Sequence, residues 1–406
     1  MKILMATHYF ASHQGGIEIV AGRLFDNFAA MGQQVSWMAS NTHSLPEVAG
    51  SQRVVELAAS NLIEDKAGVP FPIPTFAALG NISREVRNAD IVFIHDCLYL
   101  TNITAFICAR YFRKPIVVVQ HTGLIGYSNP LLRVVARFAS TIITRAMLER
   151  ADQVVFISQT SRKYFDGLDY KRAPEIIFNG IDAQTFRPRH STESKAALRS
   201  KLGLPVDLPV VLFVGRFVEN KGLPVLKEMV QRSPAWIWVF AGRGPLDPAK
   251  WAAANVRVFS NLQGLGLAEL YRAADVFVLP SKAEGFPLVI QEAIASGLPV
   301  VCGTETATAD QELSSFVHGV SPHPTDLISC ATAFLEVINS RIASIPTPQR
   351  ESEQRHRFAV SRYSWIGAAE RYLKIASELC GLHCANSDHS RTQQLSMPPS
   401  HFPEVP

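Results

Sequence analysis

The chain has 406 residues, of which 47% are hydrophobic and 18% are charged, and its formal net charge is +4. This length is sufficient for two globular domains, and the composition excludes a chain that stays disordered throughout. The small positive charge, together with the lack of any nucleic-acid-reading motif, argues against a DNA- or RNA-binding protein.

The N-terminus and the cysteines bear on location and redox state. The apolar segment over residues 3–6 is too short for a signal peptide, and no run reaches the ~18 consecutive apolar residues of a spanning helix. We therefore expect a cytoplasmic protein. Six cysteines are scattered along the chain. Cys380, His383 and Cys384 lie close together but lack an evident fourth ligand, so we expect free thiols and no metal site.

Short apolar runs rich in β-branched residues predict buried strands, and segments of helical period alternate with them. In the first half these runs are residues 3–6, 35–39, 91–94, 116–119, 154–157 and 176–178. The clearest helix between them runs from Ile17 to Phe28, and Gly32 ends it. The pattern restarts at residues 210–214, 237–241, 256–259, 276–279 and 300–302. Such alternation predicts an α/β fold with two parallel, helix-flanked sheets.

The join between the two sheets is predicted within residues 179–209, where Asn179-Gly180 forms a turn and a short polar helix over residues 192–202 precedes two prolines. Helical period returns over residues 365–379. We expect a first lobe over residues 1–185, a second lobe over 186–357, a terminal helix over 358–383 that crosses back to the first lobe, and a disordered tail over 384–406.

Two glutamates enclose the start of a helix in the second lobe. Glu284 lies in the loop after a strand, and Glu292 lies in the helix predicted over residues 288–296, with Pro287 suited to its first position. Free amides at this terminus favour phosphate or hydroxyl groups, and two carboxylates could each accept hydrogen bonds from the hydroxyls of one sugar ring. The alternative is that Glu284 only complements the helix dipole and Glu292 is a solvated position.

Two cations follow the first strand of the second lobe. Arg216 and Lys221 can neutralise a diphosphate, the arginine through a planar fork and the lysine as a point charge. A leaving nucleoside diphosphate gains negative charge in the transition state, so such cations act on rate as well as on binding. Surface charges on an ordinary loop are the alternative.

The first lobe offers two weaker signals. Gly15 and Gly16 allow backbone amides to approach a ligand where the first helix begins, with Glu18 in its first turn. His121 comes directly after a buried strand, where ligands of open α/β sheets gather. A plain tight turn and a structural histidine are the alternatives. No Gly-x-Gly-x-x-Gly fingerprint occurs at a strand-helix junction, which disfavours an NAD-dependent oxidoreductase.

These segments resemble a known family, the retaining glycosyltransferases of family 4, and the resemblance extends to Leu382. Its first-lobe motifs are Gly15-Gly16-Ile17-Glu18, Gln120-His121-Thr122 and Asn179-Gly180-Ile181-Asp182. Its second-lobe motifs are Gly215-Arg216 with Lys221-Gly222, Gly242-Arg243-Gly244, Tyr271-Arg272-Ala273-Ala274-Asp275, and Glu284-Gly285-Phe286-Pro287 through Glu292. The order and spacing of these motifs are specific to the family.

The resemblance implies the GT-B fold, in which two Rossmann-like lobes face a cleft, with the acceptor on the first lobe and the nucleotide sugar on the second. It implies that Arg216 and Lys221 hold the diphosphate, Glu292 the ribose, Glu284 the transferred sugar, and that His121 faces that sugar. The implied catalytic residues are His121, Glu284, Arg216 and Lys221, and the implied donor-binding residues are Gly15, Gly16, Leu262, Gly285, Phe286, Pro287, Leu288 and Glu292. No metal or cofactor is implied, and a nucleoside-diphosphate sugar is the co-substrate.

The implied activity is transfer of a hexose-type sugar to a hydroxyl acceptor, with retention of configuration, in polysaccharide biosynthesis. One segment departs from the family: residues 302–312 replace the usual Gly-rich turn and Pro-Glu pair. A catalytically silent nucleotide-sugar-binding or scaffold protein is therefore the alternative function, and an epimerase of the same fold is a third. Neither the base nor the sugar can be read from these residues.

Basic residues dominate one part of the first lobe. Between Cys97 and Arg150 the only acidic side chain is Glu149, against Arg110, Arg113, Lys114, Arg133, Arg137, Arg145 and Arg150. The spacing of Arg133 and Arg137 suggests a basic, apolar-backed helix that an anionic bilayer attracts; an ordinary core helix with solvated arginines is the alternative. We expect a lipid-linked or cell-envelope glycan as the acceptor, and a peripheral position at the inner face of the membrane.

Overall fold

A computed structural model of the chain describes residues 1–13, 15–67, 71–121, 138, 140–281, 285–321, 326–345 and 348–381. Two parallel sheets with flanking helices make up these residues, which confirms the predicted fold class. Glu284, the segment with Arg133 and Arg137, and the predicted tail over residues 384–406 lie outside the described residues. The division at 185/186, 357/358 and 383/384 remains a prediction.

The first sheet has the strand order β3-β2-β1-β6-β7-β8-β9, and its neighbouring strands run parallel. The strands of this lobe are β1 (Lys2–Ala6), β2 (Gln34–Ser40), β3 (Gln52–Leu57), β4 (Ala59–Ser60), β5 (Ile73–Pro74), β6 (Ile91–His95), β7 (Ile116–Gln120), β8 (Gln153–Phe156) and β9 (Glu175–Ile176). Strands β4 and β5 form a separate antiparallel ribbon.

Helices cover both faces of the first sheet. They are α1 (Gly16–Ala30), α2 (Leu62–Ala67), α3 (Phe76–Asn88), α4 (Leu100–Tyr111), α5 (Arg145–Arg150) and α6 (Gln159–Lys163). Successive residues of β1 point to opposite faces: Ile3 and Met5 pack with α1, whereas Leu4 and Ala6 pack with α3, α4 and α5. Because both faces are buried, the strands read as continuous apolar runs.

The second sheet has the order β12-β11-β10-β13-β14-β15 and is also parallel. Its strands are β10 (Val210–Val214), β11 (Ile237–Ala241), β12 (Val256–Phe259), β13 (Val276–Leu279), β14 (Val300–Gly303) and β15 (Val317–Val320). Its helices are α7 (Lys195–Lys201), α8 (Leu223–Arg232), α9 (Gly264–Ala273), α10 (Leu288–Ala295), α11 (Thr304–Ala307), α12 (Leu327–Ile342) and α13 (Gln349–Arg362). One buried cluster joins these elements.

The last described helix, α14 (Trp365–Leu379), returns to the first lobe. Its buried side chains Ala369, Tyr372 and Ile375 belong to the same cluster as Phe28 of α1 and Phe93 of β6. The chain therefore crosses between the lobes twice, and the two crossings pair through a bridge between Ile181 and Ser364. Within the described ranges, no helix is both long enough and apolar enough to cross a membrane.

Several local predictions need correction. Helix α10 ends at Ala295, one residue earlier than predicted, and Pro287 is its N-cap residue and not its first helical residue. The polar helix before β10 is shorter than expected, since α7 spans Lys195–Lys201 with Ser194 as its cap. Strands β3 and β15 had no counterpart among the predicted runs, because polar residues in β3 and the His318-Gly319 pair in β15 interrupt the apolar run.

Candidate functional site

Each sheet has a point at which its strand order reverses, between β1 and β6 in the first lobe and between β10 and β13 in the second. Ligands of open α/β sheets bind outside the carboxyl ends of the strands at such points. His8 and Asp96 follow β1 and β6, and Gly215 and Pro280 follow β10 and β13 directly. The topology therefore brings most of the predicted site loops to these two crevices.

A buried ion pair shapes the loop after β1. Nε2 of His8 lies 2.8 Å from Oε1 of Glu18, and both side chains are almost fully buried. Burial raises the pKa of Glu18, but the charge of His8 and the contacts with His13 and His8 lower it more, so its pKa falls well below the usual value. The folded-back carboxylate occupies the space of a Cβ at Gly15, which is the N-cap of α1. A side chain at position 15 would therefore displace the Glu18 carboxylate from its place beside His8.

This ion pair extends to the ribbon that carries α2. Nε2 of His13 lies 2.8 Å from Oε1 of Glu64, and the hydroxyl of Tyr9 donates to the other oxygen of Glu64 at 2.6 Å. Burial lowers the pKa of His13, but its contacts with Glu18 and Glu64 raise it above its ordinary value. The His13 imidazole therefore lies between two carboxylates from separate elements.

His121 lies at the end of β7 and is buried against a second histidine. Its Nε2 is 3.0 Å from Nδ1 of His95, and its backbone N–H donates to Oδ1 of Asp96 at 2.9 Å. Asn102 in turn donates to the carbonyls of His95 and Asp96. Burial lowers the pKa of His121 to about 3 and lowers that of His95 well below its ordinary value. Both imidazoles are therefore neutral, and one donates to the other.

Backbone contacts hold together the loops that follow β10 and β11. The N–H of Phe217 donates to the carbonyl of Arg243 at 2.8 Å, and a Cβ at Gly242 would collide with the carbonyl of Gly215. Arg216 and Arg243 are both exposed on this edge. Two guanidinium groups therefore lie on adjacent loops at the carboxyl edge of the sheet.

Lys221 is placed beside the loop that follows β13. It ends a short 3-10 turn, and the next residue, Gly222, has φ +80 and is the N-cap of α8. A Cβ at Gly222 would collide with the carbonyl of Pro280, so only glycine allows this approach. The loop with Lys221 and the loop that leads to Glu284 are thereby in direct contact.

Glu292 is half-buried on α10 and meets a buried tyrosine. The hydroxyl of Tyr271 donates to Oε2 of Glu292 at 3.0 Å. Burial raises the pKa of Glu292 to about 7, although the hydrogen bond from Tyr271 and the charge of Arg23 act in the opposite direction. The protonation of this carboxyl therefore changes near neutral pH.

The two lobes touch at predicted site residues. Gly285 lies so close to the first lobe that a Cβ would collide with the carbonyl of His121 and would lie 2.9 Å from Oγ of Ser161. Leu288, the first residue of α10, packs against the core cluster of the first lobe. His121 and the Gly285–Leu288 segment are therefore brought together from different lobes.

The remaining predicted residues are placed less tightly. Gly16 is the first residue of α1, with open space at its Cβ position. Phe286 is buried between Phe178 and Tyr363, so only its backbone is available to a ligand. Leu262 lies half-buried after β12, beside the strand that leads to Arg243.

The segment that departs from the family pattern forms α11 and a 3-10 turn. Its buried Asp310 accepts from Nη2 of Arg362 at 2.7 Å and from the hydroxyl of Tyr363 at 2.9 Å. Its backbone also contacts the first lobe, since Gln159 N–H donates to the carbonyl of Ala309 and Thr160 Oγ1 donates to that of Glu305, both at 2.9 Å. This segment thus links α13 and both lobes.

Sequence reasoning assigned no role to His95, Arg243, Tyr271 or Arg23. Burial, the charge of His13 and the charge of Arg243 all lower the pKa of His43, which belongs to the first lobe. Arg243 of the second lobe therefore lies near the first lobe. The motif Gly242-Arg243-Gly244 was the available signal, since two glycines around an exposed cation at a strand end indicate a close backbone approach. The partners of His121 and Glu292, His95 on β6 and Tyr271 on α9, are distant in sequence and carried no local signal.

Comparison with known sequences assigns this architecture to a family. Residues 194–359 match the family described as Glycosyl transferases group 1, and residues 14–185 match Glycosyltransferase Family 4. The two matches together include most of the chain. The chain therefore belongs to the family 4 glycosyltransferases of GT-B fold, and it is a transferase enzyme.

Named relatives agree with this assignment. The D-inositol 3-phosphate glycosyltransferase of Xylanimonas cellulosilytica is 28% identical over 348 residues, which are 77% of this chain and 78% of that protein. Sucrose-phosphate synthase from Thermosynechococcus elongatus shares the fold with a TM-score of 0.70 and 20% identity, over 94% of this chain and 99% of the other. Anabaena HepE in complex with UDP-glucose gives a TM-score of 0.65 and 17% identity, over 93% and 100%.

Proposed function

We propose that the protein transfers a hexose-type sugar, with retention of configuration, from a nucleoside-diphosphate sugar to a hydroxyl acceptor. The observation that carries the proposal is the contact between His121 of the first lobe and Gly285 of the second, beside the loop of Lys221. A sugar diphosphate in this crevice would meet cations from the second lobe and a neutral imidazole from the first.

In the proposed reaction the bond between the anomeric carbon and the diphosphate oxygen breaks, and the acceptor oxygen bonds to that carbon on the same face. The acceptor proton passes to the leaving phosphate oxygen, so no protein nucleophile is needed. Arg216 and Lys221 stabilise the charge that develops on the diphosphate, and Glu284 and Glu292 hold the sugar and the ribose hydroxyls. Neutral His121 can offer a hydrogen bond without repelling the positive charge that develops on the sugar ring.

The proposal includes no metal or organic cofactor, because two cationic side chains, those of Arg216 and Lys221, suffice to neutralise a diphosphate. Turnover is then expected to be unchanged by a chelator. HepE is a relative in fold that has been described with UDP-glucose, which supports a nucleotide sugar as the co-substrate here. The acceptor is proposed to be a lipid-linked or cell-envelope glycan.

Thermal-shift measurements with UDP, GDP, ADP and their sugars identify the donor, because a ligand at about 100 times its Kd stabilises the fold by about 2.7 kcal/mol. Transfer of label from that donor into a lipid extract then tests the acceptor. Label that enters only water-soluble products would contradict a lipid-linked acceptor. Nucleotide binding without any donor turnover would favour a silent binding protein.

Substitution tests the assignment of the site. We expect Arg216→Ala, Lys221→Ala and Glu284→Ala each to lower kcat/KM by about a hundredfold, which is the usual loss for one well-aimed transition-state contact. Lys227→Ala is the matched control, since this exposed lysine lies on α8 close to Lys221 in sequence. Wild-type turnover in all three variants would refute the assignment.

A further inference from the structure

Helix α4 carries a stripe of large apolar side chains on its solvent face. Ile107 is 60% exposed and Tyr111 is 80% exposed, and Leu100 extends the stripe toward the start of the helix. The spacing of seven and then four residues places the three on one side of the helix. The opposite side is filled, because Ala105 and Ala109 are fully buried in the lobe core. The stripe is therefore separate from the apolar face with which α4 packs against the core of the lobe.

A second row of apolar side chains, which includes Ile142, Ile143 and Ala146, lies beside this stripe, because these residues line one groove together with Ile107. Phe138 is 68% exposed and Ile142 is 52% exposed. Between α4 and this row lies a shallow groove of about 320 Å³, lined by Ile103, Phe106, Ile107, Ile142, Ile143, Ala146, Met147 and Arg150. Apolar surface of this kind, contiguous between two elements, marks an interaction site and not scattered exposure.

The charged side chains on the two segments that line the groove are mostly basic. Arg110, Arg113 and Arg150 are exposed, and Arg150 lines the groove itself. Over residues 100–121 and 140–150 the basic side chains also include Lys114 and Arg145, and the acidic side chain is Glu149 alone. A second copy of the chain, docked by a two-fold axis, would place this positive surface against itself. The occupant must therefore be anionic as well as apolar.

We propose that the surface formed by α4, Phe138 and residues 140–150 binds an anionic phospholipid bilayer. Ile107, Ile142 and Phe138 would enter the apolar boundary, Tyr111 would lie at the headgroup level, and the arginines would bind the lipid phosphates. Membrane binding was predicted from Arg133 and Arg137, which lie outside the described residues, whereas the surface proposed here consists of described residues alone.

The position of this surface suits a bound acceptor at the membrane. Tyr99 immediately precedes α4, and its ring stacks on His8 at 3.6 Å between centroids. The stripe thus begins next to the crevice of the first lobe and runs about 16 Å away from it along α4. A hydroxyl acceptor anchored in the bilayer would be presented on the same side of the lobe. Binding to the bilayer itself does not depend on the proposed donor chemistry.

Flotation with vesicles tests the proposal. Phosphatidylcholine vesicles that contain phosphatidylglycerol are expected to bind the full-length protein at low salt, and phosphatidylcholine vesicles alone are expected to bind it at least tenfold less. High salt should release part of the bound protein. Ile107→Ser/Tyr111→Ser and Arg110→Gln/Arg113→Gln are each expected to lower the bound fraction about tenfold.

Controls separate this surface from folding and from catalysis. Ile328→Ser removes an isoleucine that is 57% exposed on α12 of the second lobe, and it should leave flotation unchanged. Nucleotide affinity and the melting temperature of the α4 variants should match the wild type, because the altered side chains are exposed. No binding of the wild type to anionic vesicles, or undiminished binding of Ile107→Ser/Tyr111→Ser, would overturn the proposal. So would a change from dimer to monomer in that variant, which would identify a contact between copies.

Discussion

Glu292 titrates near neutral pH, and this property has two measurable results. In the unfolded chain its carboxyl has an ordinary pKa, whereas in the folded protein burial raises the pKa to about 7. The folded state therefore binds the proton more strongly, and this contribution to stability is lost as pH rises from about 4.5 to 7. Glu292→Gln removes this titration. The melting temperature of the variant relative to that of the wild type should therefore be higher at pH 8 than at pH 5.

The same carboxyl affects ligand binding with the opposite sign. Ribose hydroxyls donate to the ionised form, so wild-type affinity for a nucleoside diphosphate should rise as pH increases through 7, by at most about tenfold per pH unit. Titration calorimetry of the wild type and Glu292→Gln separates this effect from ionisation of the nucleotide phosphates. Identical pH profiles for the two proteins would show that Glu292 does not touch the nucleotide.

The hydrogen bond between His95 and His121 determines which nitrogen of His121 carries its proton. Nδ1 of His95 makes this bond in the wild type. The side-chain amide of asparagine in His95→Asn places a polar atom near the position of Nδ1, whereas the amide of glutamine in His95→Gln places it near the position of Nε2. We expect His95→Asn to keep most of the activity and His95→Gln to lose about tenfold in kcat with little change in nucleotide affinity. Nitrogen chemical shifts of His121 report the tautomer directly. Equal behaviour of the two variants would indicate a purely structural role for His95.

At the level of single residues, the sequence was informative where a chemical type and its spacing coincide. Glu292, Arg216 and Lys221 each had a structural alternative, and they could be singled out because they occur together in motifs whose order and spacing are specific to the family. His95 and Tyr271 could not, since their role comes from contacts with residues that are 26 and 21 positions away. The first contact joins β6 to the end of β7 and the second joins α9 to α10, so both exist only once these elements have packed together.

Among the elements, the segment that replaces the family's usual turn holds α13 in place. Arg362→Met leaves Asp310 buried without its cation, and we expect the free energy of unfolding to fall by about 3 kcal/mol. Urea unfolding measures this loss. The double variant Arg362→Met/Asp310→Asn should recover part of it, because the uncompensated charge is then removed. Equal stability of the single and double variants would contradict this account.

The same elements show what apolar patterns can and cannot predict. Strands β10, β11 and β13 agree with the predicted runs because each is fully buried, and the half-buried edge strand β12 agrees because three of its four residues are apolar. The two-residue strands β4 and β5 are too short to produce a pattern. Pro287 was placed one position too far into α10, since its fixed φ suits both the cap and the first helical residue.

For the whole molecule, the pattern of strands predicted two lobes, but it contained no information on how they meet. The contact of Gly285 with His121 and the paired crossings at Ile181 and Ser364 arise from tertiary structure alone. A Cβ at Gly180 would collide with Trp365, so the two crossings are packed closely. The glycine in Asn179-Gly180 was interpreted only as a turn residue, which missed this packing.

The terminal helix should stabilise the first lobe more than the second. Tyr372 is buried on α14 and contacts the rings of Phe28 and Phe93. Tyr372→Ala should cost about 3–5 kcal/mol by leaving a cavity. Hydrogen exchange should rise mainly in β1, β6 and α1, and the exposed Lys374→Ala on the same helix should change nothing. Faster exchange confined to the second lobe would contradict the packing described here.

The return of α14 also has a consequence for biosynthesis on the ribosome. Domains commonly fold in order as the chain emerges, yet the first lobe here lacks part of its core until residues 365–379 have been made. The aromatic surface around Phe28 and Phe93 therefore stays uncovered while the second lobe is translated. The N-terminal half of this enzyme is the first to be synthesised and the last to be completed.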